Sequence, residues 1–133
     1  VLKDVYKTEV YRLSSWRNTH RPSGALGPAG TVIPESSITK APTAELRPNQ
    51  TDQDSLPPYE VLDAILEEYV VKCRPAAEII AAGFDAAAVQ RVVKLIDGAE
   101  YKRRQAAPGL KVTTKAFGVG RRIPIAQRWR EVS

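Results

Sequence analysis

The sequence excludes several protein classes by what it lacks. Its 133 residues include one cysteine, Cys73, one histidine, His20, and no methionine. A single cysteine cannot form an internal disulfide, and one cysteine with one histidine cannot supply the ligands of a structural zinc ion. Disulfide-bonded scaffolds and zinc fingers are therefore excluded.

Long apolar segments are missing as well. The longest apolar run covers only residues 79–84, whereas a helix that crosses a bilayer needs about 20 apolar residues. The chain does not open with charged residues followed by an apolar stretch, as a secretory leader does. We therefore expect a cytoplasmic protein with no membrane partner.

The length and composition indicate one domain or part of one. Domains usually contain about 100–200 residues, and 43% of this chain is hydrophobic, which is enough to form a core. The chain starts with Val1 rather than methionine. Removal of an initiator methionine and truncation of a longer protein both explain that start.

Positive charge is concentrated in the last quarter of the chain. Residues 100–133 hold nine basic and two acidic side chains, against eleven basic and thirteen acidic ones in residues 1–99. The segment predicts an anionic partner, although a solvated surface or a subunit contact fits the charge equally well. Nucleic acid is the weaker candidate, because the segment has few aromatic residues and no RNA- or DNA-binding motif.

Apolar residues at helical spacing predict four helices. The first covers residues 4–18, with Asp4 as its N-cap and a narrow apolar stripe. The second covers about 59–72 and has Asp54 or Ser55 as its cap.

The third and fourth helices lie close together in the sequence. Pro75 begins the third, and Gly83 ends it in a left-handed conformation. Asp85 caps the fourth helix, which ends before Pro108. The pair resembles a helix-turn-helix in outline, but the fourth helix has no cluster of base-reading side chains, so DNA recognition is not favoured.

Residues 21–58 separate the first two helices and contain seven of the ten prolines. They show no sustained periodicity and predict a long Pro/Gly-rich loop in which only residues 31–34 resemble a strand. A loop of this length is usually either functional or disordered, and the composition fits both. Later in the chain, residues 111–113 and 123–125 are predicted to form short extended pieces.

The sequence shows no self-contained catalytic pattern, and its best candidates are groups that hold phosphates. Cys73 matches no nucleophile motif. Lys7 is predicted in the first turn of the first helix, where backbone N–H groups favour an anion, although a chance surface lysine is the alternative. Thr43 lies in a proline-framed segment with hydroxyl, cationic and carboxylate groups. Residues 100–105 place cations at a helix C-terminus, where the helix dipole favours them.

Four segments, taken together, resemble one family. They are KDVYKT at residues 3–8, KAPTAEL at 40–46, QTDQDSLPPYE at 50–60 and EYKRRQ at 100–105. In this order they resemble the C-terminal part of the synthetase domain of bacterial glutamine-dependent NAD synthetases. The resemblance implies a parent fold of the α/β, Rossmann-like adenine nucleotide α-hydrolase type, of which residues 1–133 are a mainly α-helical C-terminal segment.

The resemblance also implies a reaction and its site. ATP would adenylate deamido-NAD with release of pyrophosphate, and ammonia from a glutaminase domain would then displace AMP to give NAD. By motif match, Lys7 and Thr43 would contact ATP, and Lys102 would contact deamido-NAD. Mg²⁺ would accompany ATP, with Glu45, Asp52 and Asp54 available but not selected by any spacing. The parent enzyme would be a homo-oligomer.

Two motifs of that family are absent from the sequence. There is no Ser-Gly-Gly-x-Asp-Ser segment, which binds the ATP pyrophosphate, and no Glu-Lys-Cys glutaminase set. These absences favour truncation and predict that the chain alone is not catalytic. Two alternatives stay open: a non-catalytic nucleotide-binding or interaction module derived from the synthetase and, less favoured, a basic RNA-binding protein.

Overall fold

The computed structural model describes residues 3–43, 48, 50–116, 118, 120–126 and 130–132, and within them the chain is helical without a β-strand. It forms two compact units. The N-terminal unit is Tyr6–Leu56, and the C-terminal unit combines Val1–Val5 with Pro57–Ser133. The expectation of a mainly α-helical segment is confirmed, whereas the segments predicted to be extended form irregular structure.

The N-terminal unit begins with helix α1, Lys7–Thr19. Asp4 was predicted to be its N-cap, and this is wrong: the N-cap is Tyr6, whose backbone N–H donates to the Glu9 carboxylate at 3.2 Å. The Asp4 carboxylate instead accepts hydrogen bonds from the backbone N–H groups of Val112 and Thr113. No residue of α1 is buried, because its apolar stripe is too narrow to cover a core. Trp16 is 45% exposed.

The predicted loop of the N-terminal unit contains two short elements, helix α2 at Glu35–Thr39 and a 3₁₀ turn at Asp52–Asp54. Residues 31–34 do not form a strand. Instead, the Asn18 side chain from α1 satisfies their backbone groups. Its oxygen accepts from the N–H groups of Val32 and Ile33 at 3.0 and 2.9 Å, and its amide donates to the Ile33 carbonyl at 2.9 Å.

Asn18→Ala is expected to release residues 32–33 from α1. Three hydrogen bonds are lost, and we expect a local cost of about 1–3 kcal/mol, which corresponds to roughly 5- to 160-fold faster amide exchange. Hydrogen exchange at the Val32 and Ile33 amides measures this effect. Asn18→Asp keeps the acceptor oxygen and serves as the control with the smaller effect. Unchanged exchange in Asn18→Ala would contradict this role.

The C-terminal unit opens with helix α3, Tyr59–Leu66, which continues as a π-helical segment, Glu67–Val71. Asp54 and Ser55 do not cap α3, because Pro58 occupies the N-cap position and its carbonyl already accepts from the Leu62 N–H at 2.9 Å. Asp54 instead closes the preceding 3₁₀ turn, where it accepts from the Thr51 backbone at 2.7 Å.

Helices α4, Ala76–Ala81, and α5, Ala86–Gly98, follow as predicted. Gly83 has a φ of +101°, and Asp85 caps α5 by accepting from the Ala88 N–H at 2.7 Å, so both predictions are confirmed. The single long fourth helix is wrong, however. It ends at Gly98, and a separate helix α6, Glu100–Gln105, begins after a break at Ala99.

The hydrophobic core of the C-terminal unit is formed by α3, the π-helical segment, α4 and α5. Its apolar residues repeat at helical spacing and are at most 5% exposed. They are Ile65, Tyr69, Val70, Ala76, Ile79, Val89, Val92, Val93 and Ile96. Among the helices that the structure describes, none is both long and apolar enough to cross a bilayer.

Asp97 holds the C-terminal tail, here the segment that contains Arg121 and Glu131, against this core. One carboxylate oxygen accepts from the Tyr69 hydroxyl at 3.1 Å and from the Arg121 guanidinium at 3.4 Å, and the other accepts from the Glu131 N–H at 3.3 Å. Glu131 in turn accepts from the N–H of Ala76 at 2.6 Å. Burial, together with the Glu131 and Asp97 carboxylates, raises the pKa of Tyr69, so its hydroxyl stays protonated and remains a donor.

Candidate functional site

Lys7 is the first residue of α1, as predicted, and it is partly buried. Its ammonium lies 5.2 Å from the centre of the Tyr11 ring, one turn along the helix. A cation over an aromatic face is held in a defined position at a modest gain of about 0.5–1 kcal/mol. Lys7 is therefore positioned by its own helix, and its contact with a nucleotide stays a prediction.

Thr43 lies in the same unit, beside the 3₁₀ turn. The Asp52 N–H donates to the carbonyl of Pro42 at 2.9 Å, so the segment carrying Thr43 packs against the segment that follows it. Burial and the Asp52 carboxylate raise the pKa of Tyr11. The start of α1, the Thr43 segment and the 3₁₀ turn thus form one cluster, in which three of the four motifs from the sequence meet.

Lys102 belongs to the C-terminal unit, on helix α6. Its side chain is exposed, with the ammonium 6.0 Å from the centre of the Tyr101 ring. Tyr101 is itself 48% exposed. Tyr101 and Lys102 therefore lie on the exposed face of α6. The other charged residues of the EYKRRQ motif, Glu100, Arg103 and Arg104, bind one another.

Glu100 forms ion pairs with both arginines of α6, of which Arg103 is buried and Arg104 is 54% exposed. One of its oxygens accepts from the Arg103 guanidinium at 2.8 and 3.2 Å, and the other accepts from Arg104 at 3.0 Å. Glu100 is 3% exposed and Arg103 is 9% exposed. Burial alone would raise the pKa of Glu100, but the hydrogen bonds from Arg104 and Arg103 outweigh it and hold the pKa below its usual value.

The expectation for residues 100–105 is corrected by this network. Their cations were predicted to serve mainly the helix dipole, but Arg103 is buried, and it also donates to the Ile96 carbonyl at 2.7 Å. The charges of Glu100 and Arg103 are three residues apart, a spacing that brings side chains together on one helix face. That spacing is the signal that sequence reasoning missed.

Metal binding gains no support from the residues that the structure describes. They contain no group of three histidine, cysteine, aspartate or glutamate side chains able to hold an ion. Asp54 is occupied with the Thr51 backbone and hydroxyl, and Glu45 lies outside the described residues. No residue of this chain is therefore assigned to Mg²⁺. Cys73 is exposed and lies beside the Lys115 amine.

Comparison with known proteins gives consistent matches along the chain. Residues 1–106 match the family model of NAD synthase. The chain is 56% identical, over 99% of its length, to a glutamine-dependent NAD(+) synthetase of Rhodobacter capsulatus, of which it covers 24%. It is 50% identical, over 98% of its length, to one of Thermotoga maritima, of which it covers 22%.

A solved structure agrees with these matches. The glutamine-dependent NAD+ synthetase of Acinetobacter baumannii, in complex with ADP, is 42% identical and superposes with a TM-score of 0.54. The match covers 99% of this chain and 21% of that one. The chain thus spans between about a fifth and a quarter of the length of the relatives it matches.

Proposed function

The chain belongs to the NAD synthase family, and on that premise we propose that it supplies the C-terminal part of the synthetase site of a glutamine-dependent NAD(+) synthetase. The full reaction would use ATP to adenylate deamido-NAD with release of pyrophosphate. Ammonia would then displace AMP and give NAD. The observation that carries this proposal is the EYKRRQ helix, where Glu100 fixes both arginines and leaves Lys102 on the outer face.

Lys7 and Thr43 would bind ATP in this proposal. Adenylyl transfer gathers negative charge on phosphate oxygens, and fixed donors lower that barrier by electrostatics and by positioning. Lys7 is held at a helix N-terminus over the Tyr11 ring. The packing of the Asp52 N–H against the Pro42 carbonyl supports a fixed position for the segment of Thr43.

Lys102 would bind deamido-NAD. An ammonium is a point charge that meets a single oxygen without requiring the two-pronged geometry of arginine. Because Arg103 on the inner face of α6 is buried and donates to the Ile96 carbonyl of α5 at 2.7 Å, the backbone that carries Lys102 is fixed before the substrate arrives. A site organised in advance loses less conformational entropy on binding.

Other parts of the reaction would come from outside this sequence. The main phosphate-binding loop and the glutaminase set are not in these 133 residues, so we propose that the chain alone is inactive and that ammonia comes from a glutaminase domain of the parent protein. That parent would be a cytoplasmic homo-oligomer with the adenine nucleotide α-hydrolase-like fold and would use ATP with Mg²⁺.

A chimera tests the proposal. The 133 residues replace the aligned segment of the Rhodobacter capsulatus synthetase, and the formation of NAD from deamido-NAD, ATP and glutamine is measured. We expect product from the chimera and none from the chain alone. Lys102→Ala in the chimera should lower kcat/KM for deamido-NAD about 10- to 100-fold, the cost of one charge-assisted hydrogen bond.

The matched control is Lys111→Ala, which removes an exposed cation from the same unit. It should change kcat/KM by less than about twofold, as expected for a solvated charge. A folded chimera that makes no NAD would favour the non-catalytic module instead. An equal effect of the two substitutions would remove Lys102 from the site.

A further inference from the structure

A cavity of about 360 Å³ opens beside α6 in the C-terminal unit. Its charged lining consists of Lys3, Glu100, Arg103, Arg104 and Arg122. Lys102 does not line it, so the cavity is distinct from the exposed face of α6. Among the described residues, four cations and one carboxylate give the lining an excess of three positive charges at neutral pH.

Within the described part of the lining, the carboxylate of Glu100 cannot also neutralise Lys3 and Arg122. Both oxygens of Glu100 already accept from Arg103 and Arg104. The guanidinium of Arg122 makes no hydrogen bond to any residue in the described part of the chain. Lys3 donates to the Ala107 carbonyl at 2.9 Å, which uses one of its three N–H groups. Lys3 and Arg122 therefore keep donors available for an anion.

The backbone of Lys3 is anchored beside the cavity by the next residue, Asp4. The Asp4 carboxylate is buried and accepts from the N–H groups of Val112 and Thr113 and from the Thr113 hydroxyl, each at 2.8 Å. Gly109 leaves the space through which Lys3 passes, since a Cβ there would lie 2.9 Å from the Cβ of Lys3. The contacts of Asp4 explain why it is not the cap of α1.

Arg122 is positioned by the residue before it in the same way. Arg121 points to the core, where its guanidinium lies 4.2 Å from the centre of the Tyr69 ring and pairs with Asp97 at 3.4 Å. Arg122 is therefore set on an anchored segment, and Arg104 is set by Glu100. The backbone segments that carry these cations are thus anchored before any ligand binds, which lowers the entropy lost on binding.

We propose that this cavity is a binding site for a pyrophosphate group. The planar guanidinium of Arg122 can donate to two phosphate oxygens, and the ammonium of Lys3 can donate to a third. The excess positive charge of the lining favours an anion that carries several negative charges. The volume exceeds that of one pyrophosphate. The group has two sources: free pyrophosphate, or the pyrophosphate bridge of a dinucleotide, and only the second source depends on the function proposed above.

Calorimetric titration of the 133-residue chain with sodium pyrophosphate tests the site at low ionic strength. We expect Arg122→Ala and Lys3→Ala each to weaken pyrophosphate binding about tenfold, and rising salt to weaken it in the unaltered chain. Gly109→Ala removes no charge but displaces Lys3, and it should also weaken binding. Lys94→Ala, an exposed lysine of α5, is the control and should have no effect.

A second titration, with deamido-NAD, separates the two sources. If Arg122→Ala weakens both ligands, the site takes the bridge of the dinucleotide; if it weakens pyrophosphate alone, the site takes the free anion. Both results support the cavity as a pyrophosphate site, and neither depends on Lys102. The proposal would be overturned if the unaltered chain did not bind pyrophosphate. It would also be overturned if Arg122→Ala, Lys3→Ala and Lys94→Ala bound pyrophosphate equally strongly. Circular dichroism melting confirms that each variant folds.

Discussion

Glu100→Gln is expected to lower the free energy of unfolding by about 3–5 kcal/mol at pH 7, the usual cost of removing one partner from a buried ion pair. Glutamine fills nearly the same volume, but Arg103 keeps its charge in a buried position without the carboxylate that balances it. Arg104 loses its partner too. Urea denaturation of the unaltered chain and of Glu100→Gln measures the difference in their free energies of unfolding.

The effect of Glu100→Gln should depend on pH in a defined direction. Because the pKa of Glu100 is lowered in the folded chain, its stabilising effect is complete above the unfolded pKa, near about 4.3, and is lost as the pH falls through the folded pKa. The difference in unfolding free energy between the unaltered chain and Glu100→Gln should therefore be the same at pH 6 and pH 8. Below about pH 4 the two stabilities should converge.

An exposed ion pair in the same unit provides the control for Glu100. Glu78 lies 3.6 Å from Arg74, and its side chain is 61% exposed. Glu78→Gln should cost about 0–1 kcal/mol, because solvent screens such a pair. If Glu100→Gln costs no more than this control at neutral pH, the network on α6 does not stabilise the fold.

Asp97→Ala is expected to detach the C-terminal tail and to cost about 3–5 kcal/mol of unfolding free energy. The Asp97 side chain is fully buried and accepts from Tyr69, Arg121 and the Glu131 N–H. Alanine leaves the partly buried Arg121 guanidinium without its carboxylate. Trypsin should then cleave after Arg121 and Arg122 at least about tenfold faster, because cleavage follows the population of the detached tail.

Tyr69→Phe is the matched control for Asp97→Ala. It removes one hydroxyl from the same network and keeps both the ring beneath Arg121 and the Asp97 carboxylate. We expect a cost of about 0.5–1.5 kcal/mol, that of one hydrogen bond, with tryptic cleavage little changed. Equal cleavage rates in the unaltered chain and in Asp97→Ala would show that other contacts hold the tail.

The helices of the C-terminal unit could be predicted because their signals are local. Asp85 caps α5 through the N–H three residues later, and Gly83 ends α4 by its own backbone freedom. The apolar residues that form the core repeat along single helices. The break at Ala99 was not predicted, because Gly98 was the one signal for it and neither a proline nor a capping side chain stands beside it.

Charged residues were harder to interpret than apolar ones. Asp4 has the residue type and position of an N-cap, yet its partners are 108 and 109 residues away in the sequence. Lys102 and Arg103 are neighbours in a run of three basic residues, but Arg103 is buried and Lys102 is exposed. A charge gives no sign in the sequence of whether its partner is water, a neighbouring helix or a ligand.

The sequence by itself determined the family, through four short segments in a fixed order, and the ends of α4 and the start of α5, through caps within a few residues. Only the tertiary structure decided which cations serve the fold and which face a cavity. The physical reason is that Asp4 and Asp97 bind partners that lie far away in the sequence and come close only in the folded chain. These carboxylates bind some cations and backbone groups, and they leave Lys3 and Arg122 with donors for an anion.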